Sequence, residues 1–101
     1  MINVLAAVRI KPGQRDAWLK IFKANAVVVR KERGCIEYIP AVDVPSGMPV
    51  QAVNENMVTI IEKWESLEAL RDHLSAAHMQ AYREKVKDLV AGTEIKILTE
   101  I

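Results

Sequence analysis

The sequence predicts one small α+β domain over residues 1–101, with elements in the order strand, helix, strand, strand, helix, strand. Apolar residues alternate with a period of two in short segments, which is typical of strands. In two longer segments they recur at helical spacing, and prolines or glycines separate the segments. A chain of 101 residues, 50% of them hydrophobic, has room for one packed core. This order is the split β-α-β arrangement, in which both helices cover one face of a four-stranded sheet.

The first strand and the first helix are predicted at Val4–Ile10 and from Gln14 to about Arg33. Pro12 and Gly13 separate them, because proline and glycine interrupt regular structure. We expect Gly34 to end the helix, since glycine readily adopts the positive φ of a helix C-terminus. The helical spacing is carried by Trp18, Ile21, Phe22, Asn25 and Val29.

The second and third strands are predicted at Cys35–Val44 and Met57–Trp64. Pro40 lies inside the second strand and favours an edge position or a bulge, because proline cannot donate a ladder hydrogen bond. Between the strands, residues 45–56 contain two prolines and one glycine and are predicted to form a long loop. Loops of this length are uncommon in small domains and often have a function, which the sequence does not define here.

The second helix and the last strand complete the pattern. Ser66 is a suitable N-cap for a helix that begins at the next residue. The helical pattern is interrupted near Ser75, and Gly92 is predicted to end the helix before a last strand at Glu94–Ile101. The apolar stripe of this helix consists of Leu67, Leu70, Leu74, Tyr82, Val86 and Leu89.

Both faces of the predicted sheet are apolar. One face carries several of Leu5, Ala7, Ile39, Ala41, Met57, Ile61 and Leu98, and the other carries Val4, Val8, Ile36, Val58, Ile60 and Ile95. The helices can cover only one of them, and an exposed apolar face of this size is unusual in a monomer. The sequence therefore predicts a homodimer in which the two sheets pack face to face.

Composition excludes several classes of partner. Fourteen Lys and Arg residues balance 13 Asp and Glu residues without a basic cluster, so nucleic acid is not an expected partner. No apolar run is long enough to cross a bilayer, and we expect no membrane insertion. Cys35 is the single cysteine, and no signal sequence follows Met1, which together predict a cytoplasmic protein.

A few polar or aromatic residues interrupt the apolar pattern and are candidates for a functional site. His78 and Tyr82 are four residues apart and therefore lie on one helix face. His73 and His78 would point about 140° apart on an unbroken helix, so we predict no metal site at this pair. No phosphate-binding glycine loop or serine-histidine-aspartate order is recognisable. On spacing alone, each candidate is more often a structural residue than a functional one.

The chain resembles the antibiotic biosynthesis monooxygenase family, and most closely its bacterial quinol monooxygenases. The similarity covers essentially the whole chain and is carried by Lys11–Gln14, Lys31–Cys35, Glu62–Ser66, Leu70, His73, Leu74, Ala77–Tyr82 and Ile95–Leu98. The resemblance implies a ferredoxin-like domain that forms a dimeric α+β barrel. It also implies a pocket between helices and sheet, and oxygenation of a small quinol or hydroxylated aromatic by O2 without metal, flavin or haem.

The resemblance also implies roles for individual residues. His78 is the expected base that removes the phenolic proton, since a neutral imidazole is available near neutral pH. Tyr82 and Trp64 are expected to hold the oxyanion or peroxide. The expected substrate-binding residues are Phe22, Tyr38, His73 and Met79.

The sequence departs from two branches of the family. Ring-oxidising members have an asparagine four residues before the matching tryptophan, where this chain has Ile60. Haem-degrading members need an asparagine and a histidine at positions aligned with Val8 and Arg83, so haem cleavage is not expected. Two alternatives to the oxygenase remain: an isomerase of small hydroxy-ketones, and a non-catalytic ligand-binding module on the same scaffold.

Overall fold

The computed structural model describes all 101 residues. Its elements, in chain order, are β1 (Ile2–Ile10), α1 (Arg15–Val29), β2 (Cys35–Val42), β3 (Met57–Trp64), α2 (Leu67–Ser75), α3 (Ala77–Val86) and β4 (Val90–Thr99). The strands form one sheet in the order β2-β3-β1-β4, and all neighbouring strands are antiparallel. The predicted α+β ferredoxin-like fold is confirmed, with the second helix divided in two.

The alternation in β1 defines the two faces of the sheet. Its residues Val4, Ala6, Val8 and Ile10 are buried beneath the helices. Leu5, between them, points to the opposite, uncovered face and is 39% exposed. Because paired residues of neighbouring strands point to the same side, β3 contributes Val58, Ile60, Glu62 and Trp64 to the helix-covered face.

Helix α1 is shorter than the sequence predicted. It ends at Val29 instead of about Arg33. The next amides, of Lys31 and Glu32, donate to carbonyl groups three residues earlier and form a tighter turn. Gly34 follows with a φ of 85°, so its left-handed conformation ends this turn and not the α-helix itself. The buried face of the helix is formed by Trp18, Phe22, Ala26 and Val29.

The predicted interruption of the second helix near Ser75 is confirmed. Ala76 adopts an extended conformation (φ −61°, ψ 142°) between α2 and α3. The prediction that Gly92 ends the helix was wrong, because α3 ends at Val86 and Gly92 lies inside β4 opposite Arg9. Pairing with β1 extends β4 toward its N-terminus, so the last strand begins at Val90 and not at Glu94.

The apolar stripe predicted for α2 was only partly right. Leu70 is buried, but Leu67 and Leu74 are 45% and 37% exposed. The second buried residue of this helix is His73, which lies three positions after Leu70 and therefore on the same side. A polar side chain thus occupies the position that the leucine pattern assigned to the core.

The remaining boundaries agree with the prediction more closely. β2 is an edge strand, as Pro40 indicated, and it ends at Val42, two residues before the predicted end. No helix or strand occurs in residues 45–56, which confirms the loop. No helix is both long and apolar enough to cross a membrane. Cys35 is a free thiol, and the cytoplasmic location stays a prediction.

Candidate active site

A cavity of about 450 Å³ lies between the helix-covered face of the sheet and α3, and we call it the inner cavity. Twelve of its 18 lining residues are hydrophobic. They come from β1, β3, β4 and the helices, and include Ala6, Val8, Trp18, Ile60, Met79, Val86 and Ile95. The exposed side chains of Arg83 and Lys87 lie at its rim. A small aromatic molecule therefore fits this cavity by size and polarity.

Glu62 places a carboxyl group in the wall of this apolar cavity. Its side chain points inward from β3, and the residue is only 6% exposed. The Trp64 indole N–H donates a hydrogen bond of 2.9 Å to Glu62 Oε1, while the other carboxyl oxygen has no partner within the chain. Burial raises the pKa of Glu62 to about 7; the negative charge of Glu32 adds to this increase, and the Trp64 hydrogen bond opposes it. The group can therefore accept or release a proton near neutral pH.

Two tyrosines bring hydroxyl groups to the same cavity. Tyr38 of β2 and Tyr82 of α3 both line it and are buried. Burial raises the pKa of each phenol far above its ordinary value, so both remain protonated hydrogen-bond donors. The indole nitrogen of Trp18 is buried without a hydrogen bond, although its proximity favours the phenolate of Tyr82 slightly.

An aromatic cluster holds these tyrosines in position. The Phe22 ring stacks on Trp18 and Tyr38, with centroid distances of 4.9 and 5.3 Å. It also meets Tyr82 edge to face at 6.2 Å. Phe22 itself is not among the lining residues and instead supports the wall from behind. Such packing restricts the tyrosine rotamers and keeps their hydroxyl groups in place.

His73 and Glu32 form a second polar pair at the cavity. His73 lines the cavity, is 2% exposed and lies against the Trp64 indole at a centroid distance of 4.6 Å. Its Nδ1 donates to Glu32 Oε2 at 2.7 Å, because an ionised carboxylate can only accept. Burial lowers the pKa of His73, and the Glu32 contact opposes that change. The ring is therefore neutral at pH 7, with Nε2 as its free acceptor.

His78 lies outside the inner cavity. It lines a groove of about 440 Å³ between α1 and α3, which we call the outer groove. Its Nδ1 lies 3.1 Å from Asn25 Oδ1, and its Nε2 lies 3.4 Å from Glu32 Oε1 without forming a hydrogen bond. The extended Ala76 breaks the helix that would separate the two histidines, so their ring centroids are only 6.5 Å apart.

Four of the seven residues predicted for the site line the inner cavity: Tyr38, His73, Met79 and Tyr82. Trp64 and Phe22 lie behind the wall and contact residues that line it. Sequence reasoning missed Glu62 entirely. The sequence did contain a signal. Glu62 lies between Ile60 and Trp64 in the every-second-residue pattern of β3, so its charged side chain is on the same face as these apolar residues. No group of three or more His, Cys, Asp or Glu side chains is arranged to hold a metal ion.

Comparison with known proteins identifies the family. A model of the family described as "Antibiotic biosynthesis monooxygenase" matches residues 1–85. The chain belongs to this family. Family membership makes it a monooxygenase and therefore an oxidoreductase.

Individual relatives agree with this assignment. "Probable quinol monooxygenase YgiN" of Escherichia coli K12 is 41% identical over 100 residues, which cover 97% of this chain and 96% of that protein. The structure of a conserved protein from Methanosarcina mazei has a TM-score of 0.86 at 23% identity. The match covers 99% of this chain and 92% of that protein. The structure of a Pseudomonas aeruginosa protein has a TM-score of 0.82 at 21% identity. The match covers 99% of this chain and 93% of that protein. At these identities the two structures show the fold alone.

Within the antibiotic biosynthesis monooxygenase fold, the three departures noted in the sequence share one location. Ile60, Val8 and Arg83 all line the inner cavity. Ile60 and Val8 make its sheet wall apolar at these positions. The polar functions of this cavity must then come from other residues, and Glu62 and His73 are the buried polar residues that line it.

Proposed function

We propose that this monooxygenase oxidises a small quinol or hydroxylated aromatic with O2 after Glu62 has removed a phenolic proton. The observation that carries this proposal is the buried Glu62 carboxyl group, whose pKa is about 7, in the wall of an apolar cavity. Glu62 replaces His78 as the proposed base, because His78 lines the outer groove and not the cavity. The name of the Escherichia coli relative supports a quinol as the substrate.

Removal of the phenolic proton solves the main chemical difficulty of the reaction. Triplet O2 reacts slowly with closed-shell organic molecules, whereas an electron-rich phenolate can transfer one electron to it. An apolar cavity favours this step, because it holds the anion without a competing water shell. The protonated hydroxyl groups of Tyr38 and Tyr82, two residues that line the cavity, are suited to donate hydrogen bonds to the oxyanion.

The overall reaction balances without another reductant. A quinol and O2 yield a hydroxyquinone and water, so the substrate supplies both electron pairs that reduce O2. Superoxide and the substrate radical combine at a ring carbon, and the O–O bond of the resulting peroxide then breaks. The distal oxygen leaves as water after it takes up protons, one of which returns from Glu62. The remaining oxygen stays on the ring, and its carbon loses the original hydrogen as a proton.

The cavity lining favours this reaction over the two alternatives. An isomerase of small hydroxy-ketones would need a strongly polar pocket, whereas two thirds of the residues that line this cavity are hydrophobic (12 of 18). A pure binding module would need no titratable group at its ligand, but Glu62 and His73 both line the cavity. Both groups can exchange protons with a bound phenol.

We also propose that the protein acts as a homodimer through the uncovered face of its sheet. This face carries an apolar row that consists of Leu5 on β1, Ile61 on β3 and Ile39 on β2. Leu98 on β4 lies beside the row. These four side chains are between 39% and 46% exposed in the single chain. An apolar row in the middle of an open sheet is suited to pack against a second copy of itself.

An oxygen electrode provides the test. The purified protein is offered quinols, naphthols and anthrones after exhaustive chelation, and we expect oxygen uptake with at least one of these classes. Glu62→Gln should lower kcat by about 10²–10⁴, the usual contribution of a general base, while the fold persists. Glu65→Gln, which changes an exposed carboxylate three residues away, is the matched control. The absence of uptake in every class, or full activity of Glu62→Gln, would reject the proposal.

A further inference from the structure

We propose that His73, Glu32 and His78 form a proton relay between the inner cavity and the outer groove. This inference rests on the proposed oxidation of a quinol. A quinol has two hydroxyl protons, and the Glu62 carboxylate can hold only one of them. His73, which also lines the cavity, is a second group that can take up the other. In this proposal the second proton enters the path at His73 and returns along it when the departing oxygen takes up protons.

The hydrogen bonds define which nitrogen atoms carry protons. Glu32 Oε2 accepts the Nδ1 proton of His73 at 2.7 Å, so the Nε2 of His73 is free to accept a proton from the cavity. The amide nitrogen of Asn25 lies 3.2 Å from the Met79 sulfur, which directs the amide oxygen toward His78. That oxygen accepts the Nδ1 proton of His78 at 3.1 Å.

When the Nε2 of His78 carries no proton, it is an acceptor that faces another acceptor. It lies 3.4 Å from Glu32 Oε1, is buried, and has no hydrogen-bond partner. A proton delivered through Glu32 would satisfy both atoms. Rotation of the carboxyl group about its last bond exchanges the two oxygens, and this torsion is soft. The side chain of Glu32 is 17% exposed, so its neighbours do not enclose it completely.

Each transfer moves one proton and breaks no other bond. His73 accepts a proton at Nε2 and passes its Nδ1 proton to Glu32, and Glu32 then passes a proton to His78 Nε2. The His78 imidazolium, whose side chain is 26% exposed, then turns its Nδ1–H away from Asn25 Oδ1 into the outer groove and releases that proton to solvent. The reverse sequence supplies protons to the departing oxygen. The titratable and charged groups near this chain of contacts include Cys35 and Tyr38 from β2, Glu62 from β3 and Arg83 from α3. Lys20 and Lys85 line the outer groove.

Chemical rescue distinguishes a relay from a structural role. In dilute buffer, His78→Gln should lower kcat by on the order of tenfold, less than the loss of a general base, with KM unchanged. Imidazole at tens of millimolar should restore kcat, because it can carry protons from Glu32 through the groove. Lys85→Gln, in the same groove but outside the chain of contacts, should neither lose activity nor respond to imidazole. Full activity of His78→Gln in dilute buffer, or a loss that imidazole does not restore, overturns the relay.

A second measurement needs no substrate and separates the relay from the proposed oxidation. Nitrogen-edited NMR follows the exchange of the His73 Nδ1 proton with solvent. The relay requires this exchange to be slower in His78→Gln than in the wild type, and slower again in Glu32→Gln if that proton remains visible. Equal or faster exchange in His78→Gln overturns the relay. If no quinol supports oxygen uptake, the proposed function fails, and the exchange rates still decide whether the proton path exists.

Discussion

The indole N–H of Trp64 donates a hydrogen bond of 2.9 Å to the Glu62 carboxylate, two residues earlier on β3. Both side chains point toward the helices because residues two apart on a strand share a face. The same indole lies against the His73 ring on the α2 side. Trp64 therefore connects the two buried polar residues of the cavity wall and stabilises the charged form of one of them.

We expect Trp64→Phe to raise the pH at which activity appears. In the wild type, kcat should rise through about pH 7, because Glu62 must lose its proton before it can act as a base. A hydrogen bond to a charged group stabilises it by about 1.5–3 kcal/mol. Its loss should therefore shift the rise of kcat to a higher pH by roughly 1–2 units. The measurement is a kcat profile of both proteins over pH 5–10, about the pKa range of the groups involved.

Trp18→Phe is the matched control for this substitution. Trp18 is equally buried, but its indole nitrogen makes no hydrogen bond, and Trp18 is not among the groups that shift the pKa of Glu62. Replacement of Trp18 by phenylalanine should lower the stability of the protein and leave the pH at which kcat rises unchanged. If kcat of Trp64→Phe instead rises at the same pH as in the wild type but reaches a lower maximum, Trp64 acts on the oxyanion and not on Glu62.

We expect Glu62→Gln to be more stable than the wild type at high pH. The pKa of Glu62 is about 7 in the folded protein against an ordinary value of 4.5, so the folded state binds more protons between these values. The free energy of unfolding therefore falls as pH rises through this window, by up to about 3 kcal/mol. A neutral glutamine avoids this cost and can still accept the Trp64 hydrogen bond. Urea unfolding at pH 5 and pH 8, about the two ends of the window, should show a gain mainly at the higher pH. An equal difference at both values contradicts the expectation.

We expect Ile61→Asp to dissociate the proposed dimer. Ile61 lies in the centre of the apolar row on the uncovered sheet face, paired with Leu5 on one side and Ile39 on the other. An interface built there should bury at least about 2,000 Å², and a buried unpaired carboxylate would not be tolerated in it. Sedimentation velocity of the wild type and the variant at micromolar concentration measures the outcome. Val27→Asp, at an exposed position of α1, should stay a dimer. A monomeric wild type would refute the dimer.

We expect Gly34→Ala to destabilise the protein more than Gly13→Ala does. Both glycines have positive φ, 85° and 79°, so each alanine has a backbone cost of about 1–2 kcal/mol. A Cβ at Gly34 would also lie 2.6 Å from the Cβ of Ala69 on α2, whereas Gly13 has nothing within 4 Å. Urea unfolding of both variants and of Gly34→Ala/Ala69→Gly should show that the double substitution recovers the steric part. Equal losses in the two single variants would contradict this explanation.

The strand and helix pattern was predictable because it depends on local periodicity. The alternation in β1 placed Val4, Ala6, Val8 and Ile10 on one face, and the structure buries all four. The stripe of α2 was less predictable, since Leu67 and Leu74 satisfied the pattern yet remain exposed. Only the neighbouring elements decide which of several apolar residues on a short helix faces the sheet. The end of α3 was misjudged for a similar reason, because pairing with β1 draws Val90 and Gly92 into the last strand.

The sequence by itself determined the fold, the separation of the sheet into two apolar faces and four of the residues that line the cavity. These follow from spacing along the chain and from the resemblance to a known family. The tertiary structure decided the proton chemistry. Glu62 acquires its raised pKa only when the helices cover β3, because burial is a property of the assembled fold. His73 and His78 meet at Glu32 only because the extended Ala76 redirects the chain between two helices, and no helical spacing describes that change of direction.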